Sequence, residues 1–171
     1  LFITRTKNMK KLLIPLLITN IIYAQSFVPD APELDLKSYI LIEPNTNTVI
    51  AEFNSDSEIE PASMTKIMTS YVVADQIAND LISLDDQVLI SEKAWRMEGS
   101  KMFIEAGKKV SVSDLLKGII IQSGNDASVA IAEYAGGTER GFVDLMNAYA
   151  GALSMNNTIF KNSTGLPDEN H

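Results

Sequence analysis

The 171-residue sequence has no cysteine and a single histidine, His171, its last residue. Without cysteine there is no disulfide framework, no thiol nucleophile and no cysteine-ligated zinc. One terminal imidazole leaves a Ser-His-Asp triad or a His-rich metal cluster without its material. Basic charge is also scarce. The 14 Lys and Arg face 22 Asp and Glu, for a net charge of -8 and a sequence pI of about 4.6. Phosphate binding needs a basic face, so nucleic acid is not expected as a partner. Any nucleophilic chemistry must use a base other than histidine.

What the sequence does have is 46% hydrophobic residues, enough for one globular core. Its charge is uneven. The first 24 residues carry Arg5, Lys7, Lys10 and Lys11 and no acid. Met9-Lys10-Lys11 precedes an apolar run from Leu12 to Ile22, broken by Pro15, Thr19 and Asn20, and Ala24 follows. A basic start, a short apolar stretch and a small residue describe a secretory signal peptide over residues 1–24, with Met9 as its true start. The run is too short for a membrane span and not amphipathic enough for a buried helix. The expected mature chain is exported to the periplasm and carries 10 cations against 22 acids, or -12.

Residues 25–37 carry two prolines and no period, so they read as an extended lead-in. Residues 38–43 and 48–53 are β-rich runs around Pro44-Asn45-Thr46-Asn47, a hairpin signal. Two strands make a marginal sheet, so partner strands are expected elsewhere. The spacing predicts a helix over 63–78 that is apolar around most of its circumference, with Lys66 and Asp75 as its only charges, and therefore central. Residues 87–90 form a short apolar segment, and 91–110 read as loop with some strand. Ser113-Asp114 is expected to cap a helix that stops at Ser123-Gly124. Asn125 or Asp126 caps the next, which runs to Gly136-Gly137, and Thr138 opens a third. Strands at one end followed by a run of helices indicate an α+β domain.

Ser63-Met64-Thr65-Lys66 has the S-x-x-K spacing of a serine nucleophile with a lysine base. Among 15 serines and 11 lysines, about one such pair arises by chance, so context decides. Pro61-Ala62-Ser63 sets the serine at a helix start, where residues i and i+3 share a face. A cation near the positive end of a helix dipole is unfavourable by roughly 0.3–1 kcal/mol. Burial of Lys66 would likewise favour the neutral amine that a general base needs. The alternative is a serine cap followed by a solvated lysine. Ser123-Gly124-Asn125, between two apolar helices, is either a plain cap or part of a site. Ser154-Met155-Asn156 repeats its spacing in an ordinary helix end.

Together, Pro61-Ala62-Ser63-Met64-Thr65-Lys66 and Gln122-Ser123-Gly124-Asn125-Asp126-Ala127 closely resemble the first two active-site motifs of low-molecular-mass penicillin-binding proteins, D-alanyl-D-alanine carboxypeptidases above all. Glu98 to Phe103 and Asn157 to Leu166 extend the resemblance over residues 37–171. It implies a serine β-lactamase/penicillin-binding-protein-like transpeptidase fold, with an antiparallel sheet flanked by a helical cluster. The implied roles are Ser63 as nucleophile, Lys66 as general base, Ser123 as proton relay and Asn125 as holder of the substrate amide. The substrate would be the peptidoglycan stem peptide, β-lactams would acylate Ser63, and no metal or cofactor is needed. No K-T-G or K-S-G triplet occurs, and Ser163-Thr164-Gly165 is no substitute because Asn162 precedes it. Residues 25–171 are thus expected to be the N-terminal part of the catalytic domain. The third motif and the family's membrane-associating C-terminal anchor would lie beyond. Two alternatives remain: a serine β-lactamase of the same fold, and a non-catalytic peptidoglycan-binding or scaffold relative.

Overall fold

The computed structural model describes residues 31–169 and 171. The leader expected over residues 1–24 and the start of the extended lead-in lie outside them. Residues 31–36 have no regular structure. The chain divides into two units, one ending at Asp56 and one running from Ser57 to His171.

In the first unit, strands β1 (Tyr39–Glu43) and β2 (Thr48–Phe53) form the expected antiparallel hairpin. Its turn is built by Glu43, whose carboxylate accepts from Thr46 N and Oγ1, both at 2.7 Å, and from Asn45 Nδ2 at 2.7 Å. These bonds, led by the Thr46 hydroxyl, lower the Glu43 pKa to about 2. Asn47 closes the turn with a left-handed φ of 58°. The register shifts between Leu41 and Ile42, so a bulge interrupts the ladder. Among the described residues the hairpin has no third strand.

The second unit is mainly helical. A 3₁₀ turn (Ala62–Met64) leads into α1 (Thr65–Ala78). Strand β3 (Gln87–Leu89), helix α2 (Glu92–Arg96) and strand β4 (Lys109–Ser111) follow. Then come α3 (Val112–Gln122), α4 (Asn125–Gly136) and α5 (Glu139–Ala152). The strands β3 and β4 pair as a separate two-stranded sheet, with Val88 opposite Val110. Helix α4 is the centre, packed against α1, α2, α3 and α5. Its residues Asn125 to Ala132 are all buried. Small side chains at Ala127, Ala130 and Ala132 let the neighbours close on it, while Val72, Leu115, Phe142 and Met146 fill the gaps. Each such larger residue stabilises by about 1.5–3 kcal/mol. The α4–α5 corner is tight: a methyl group on Gly136 would run into the Phe142 backbone.

Several expectations are corrected here. Helix α1 is not covered all round: Met68, Val72 and Val73 are buried, but Ile67 is 72% exposed and Tyr71 is exposed too. Residues 91–110 contain α2, capped by Ser91 Oγ on Ala94 N at 3.0 Å, which is too short to show a period. Ser111, not Ser113-Asp114, caps α3 by accepting from Asp114 N at 3.1 Å. The N-cap of α4 is Gly124, so Asn125 and Asp126 are its first residues, with side chains free for other work. Thr138 does cap α5, through Gly141 N at 3.0 Å. No helix of the described residues is long and apolar enough to cross a membrane.

Candidate active site

Three segments converge on Lys66. The first is the 3₁₀ turn that carries Ser63. Ala62 takes a left-handed φ of 46°, unusual for a residue with a side chain, and the turn closes through Met64 N on Pro61 O at 3.1 Å. This leaves Ser63 exposed at the mouth of the site, with Lys66 one turn below it and 5% exposed. Lys66 Nζ is 3.2 Å from Ser63 Oγ.

The second segment is the start of α4. Asn125 is buried and held from both ends: its N–H donates to Ser100 O and its Nδ2 to Glu98 O, each at 2.7 Å. A carbonyl can only accept, so Nδ2 must face Glu98, and Oδ1 is thereby turned to Lys66 Nζ at 2.8 Å. Glycine is needed at position 99, where φ is +80° and a Cβ would come within 2.8 Å of Asn125 Nδ2. Asp126, fully buried, secures the same loop. Its carboxylate accepts from the N–H groups of Met102 (3.0 Å), Phe103 (2.9 Å) and Ile104 (3.2 Å).

The third segment is the turn from Asn162 to Leu166. Asn162 Oδ1 accepts from Thr164 N, Thr164 Oγ1 and Gly165 N, and this curl directs the Thr164 carbonyl at Lys66 Nζ, 2.7 Å away. The turn lies against Ala62, because any side chain on Gly165 would collide with the Ala62 carbonyl. His171 ties it to α1 as well. Its Nδ1 accepts from Lys161 N at 2.9 Å, so the proton sits on Nε2, which donates to Thr65 Oγ1 at 2.9 Å.

Hydrogen-bond counting fixes what this arrangement can do. A neutral amine has two N–H donors and one lone pair. Asn125 Oδ1 and Thr164 O can only accept, so they take both donors. In that neutral form the lone pair is left facing Ser63 Oγ, whose hydroxyl can donate into it, whereas in the ammonium form the third N–H donates to Ser63 Oγ. Among the described residues no carboxylate pairs with Lys66, and burial holds its pKa below the ordinary 10.5. Once Lys66 is deprotonated, the Ser63 hydroxyl bonded to it is an activated nucleophile with its base in place.

Of the four expected site residues, the structure joins Ser63, Lys66 and Asn125 in one hydrogen-bonded set. Ser123 follows α3 in a left-handed turn (φ 54°), and the next amide, Gly124 N, closes back on Gly118 O at 3.1 Å. Its hydroxyl bonds to none of the other three. Thr164 and Asp126 were not foreseen as site residues. A backbone carbonyl carries no side-chain signature, although the Asn162-x-x-Gly165-Leu166 spacing marks the turn that presents it. Among the described residues, no three carboxylate or imidazole side chains converge as a metal site requires.

Comparison with known proteins identifies the family. The family model of the peptidase S11 D-alanyl-D-alanine carboxypeptidases matches residues 25–171. The chain belongs to that family. It is 44% identical to the D-alanyl-D-alanine carboxypeptidase DacC of Escherichia coli over 84% of this chain and 38% of that protein. With DacF of Bacillus subtilis the identity is 47% over 80% of this chain and 35% of that protein. The chain therefore spans a little over a third of these curated relatives. Among solved structures, the carboxypeptidase DacD of Francisella tularensis superposes with a TM-score of 0.79 at 48% identity, covering 82% of this chain and 34% of that one. Penicillin-binding protein 5 of Haemophilus influenzae gives 0.80 at 39% identity, covering 84% and 42%. The fold is that of the penicillin-binding proteins and DD-transpeptidases, as the resemblance implied.

Proposed function

We propose that the protein to which these residues belong is a serine-type D-Ala-D-Ala carboxypeptidase acting through an acyl-enzyme on Ser63. One observation carries the reading: the Nζ of a buried lysine lies within hydrogen-bond reach of Ser63 Oγ and of two obligate acceptors, Asn125 Oδ1 and Thr164 O, so that loss of its proton turns the lone pair to Ser63. In this scheme Ser63 Oγ attacks the carbonyl between the two terminal D-alanines of a peptidoglycan stem peptide while Lys66 takes its proton. Ser123, two residues before Asn125 in the sequence, relays a proton to the departing D-alanine amine, and Asn125 holds the substrate amide. Collapse of the tetrahedral adduct leaves an ester on Ser63, and water then releases the shortened peptide. The Ser63 N–H, at a helix start, suits one arm of an oxyanion hole. β-Lactams resemble the same end of the substrate and would acylate the same oxygen through their ring carbonyl.

The basic and apolar residues 1–24 support export to the periplasm. The share of the relatives covered supports residues 25–171 as the front part of a catalytic domain, with membrane attachment, where it exists, lying further along the protein. The test is covalent labelling of the complete protein by a fluorescent penicillin. Ser63→Ala is expected to abolish it, and labelling that survives the change defeats the assignment. Release of D-alanine from a pentapeptide, faster than turnover of a chromogenic cephalosporin, marks a carboxypeptidase. The reverse order marks a β-lactamase, and neither activity marks a non-catalytic relative.

A further inference from the structure

Glu139 opens α5 and could have spent its carboxylate on the first-turn amides of its own helix, as acids there commonly do. It turns away instead. Oε1 accepts from both Ser163 N (3.1 Å) and Ser163 Oγ (2.9 Å), and Oε2 pairs with Lys93 Nζ at 2.6 Å. The Glu139 side chain is only 12% exposed, and Ser163 is fully buried. The Ser163 carbonyl in turn accepts from Thr69 Oγ1 on α1 at 2.8 Å and from Ser128 Oγ on α4 at 2.5 Å. Every polar group of Ser163 is therefore bonded to one of three helices. The very next carbonyl, that of Thr164, is the one that orients Lys66. Burial alone would raise the Glu139 pKa, but the Lys93 and Ser163 bonds hold it below the ordinary value, so the acceptor is ionised at neutral pH.

We propose that Glu139 is a positioning residue for acylation: by gripping Ser163 it sets the Thr164 carbonyl, and through that carbonyl the direction of the Lys66 lone pair. The inference rests on the reading of Ser63 and Lys66 as nucleophile and base. Its two halves are separable. The Ser163 bonds lie inside the protein, whereas Lys93 is more than half exposed, beside an open cavity of about 450 Å³ lined also by Arg140 and Lys161. The acceptor oxygen matters, and the Lys93 ion pair does not.

The experiment measures, in the complete protein, the affinity of the pre-acylation complex with a fluorescent penicillin separately from the rate of acylation that follows. Amide exchange of Ser163, Thr164 and Gly165 is followed alongside. Glu139→Ala is expected to slow acylation about 10–100-fold with affinity changed less than about twofold, because misplacing one anchor by an ångström has that effect. Exchange at the turn should accelerate. Glu139→Gln keeps an acceptor oxygen and should restore acylation to within about threefold, and Lys93→Ala should stay within about twofold. Where Glu139→Ala does not fold, Ser163→Ala, which deletes one of the two bonds, carries the same test with a loss of about threefold or more. Acylation by Glu139→Ala at the wild-type rate overturns the proposal. So does a Gln variant as slow as Ala, or a loss confined to affinity. A wild-type protein that takes no label at all overturns the assigned function instead. In that case unaltered exchange in Glu139→Ala also removes Glu139 from the turn.

Discussion

Asp126→Asn changes one atom of a buried side chain and should be among the most damaging substitutions in this region. The carboxylate has no cationic partner among the described residues. Its charge is met by four backbone N–H groups: Met102 and Ala127 on Oδ1, and Phe103 and Ile104 on Oδ2. It also sits in the first turn of α4, where the helix dipole favours an anion. An amide supplies one acceptor oxygen in place of two, and its NH₂ then faces two N–H donors. Two bonds to a charged acceptor are lost, at about 1.5–3 kcal/mol each, so about 3–6 kcal/mol of stability should disappear. With a urea slope near ~2 kcal/mol/M, the midpoint should fall by roughly 1.5–3 M at unchanged slope. Equilibrium unfolding of the complete protein reads this directly. Because the same loop supplies Glu98 O and Ser100 O to Asn125, amide exchange at residues 102–104 should rise and acylation should slow in the folded fraction. A loss below about 1 kcal/mol would show that water or a shifted loop satisfies the orphaned amides, and would refute the count of acceptors.

Lys66 gives a prediction in pH. Its pKa lies below 10.5 because it is buried, so the unfolded chain keeps this proton to higher pH than the folded one. Stability should therefore rise as pH climbs from the folded pKa towards 10.5, and acylation should rise through the folded pKa as the lone pair is freed. A rate profile whose midpoint sits at 10.5 counts against a desolvated base. Lys66→Ala should lower the acylation rate at neutral pH by about 100-fold or more, the usual worth of a positioned base, and an unchanged rate would place the base elsewhere. Gly165→Ala combines a left-handed φ of +80° with a collision against the Ala62 carbonyl. It should destabilise by about 1–3 kcal/mol from backbone strain alone, and a thermal midpoint within a degree of wild type would contradict that packing. Ser91→Ala removes the α2 cap and a 2.6 Å bond to Glu133; about 1 kcal/mol should be lost in chemical denaturation.

Much of this was legible in the sequence where local chemistry is decisive. The hairpin followed from β-rich runs around Pro44 to Asn47, and the helix ends at Ser123-Gly124 and Gly136-Gly137 from the turn preference of their residues. The Ser63–Lys66 pair followed from i,i+3 geometry, and the resemblance added Asn125. What escaped is carried by the backbone or by distant pairs. Thr164 acts through its carbonyl, which any residue could supply. Asp126 and Glu139 both stand at helix starts, where an acid already has a sufficient local reason to be, so nothing marked them as reaching 22–24 residues away to Ile104, Phe103, Met102 and Ser163. Helix α2 has five residues, fewer than a hydrophobic period can reveal. The exposed face of α1 was misjudged because periodicity reports how many apolar residues surround a helix, not which neighbours are there to meet them.

The stretch from Asn162 to Leu166 has no regular secondary structure, and such stretches are ordinarily where proteases nick, where insertions are absorbed and where relatives diverge. Here the usual relation is inverted. Ser163 is bonded to three helices and Thr164 reaches a fourth partner in Lys66, so no residue can be added or removed without drawing the others out of register. Engineers seeking a place for a tag, a permuted terminus or a length polymorphism should look to the exposed surface around Asn79 to Leu81 and treat this short coil as they would the middle of a sheet.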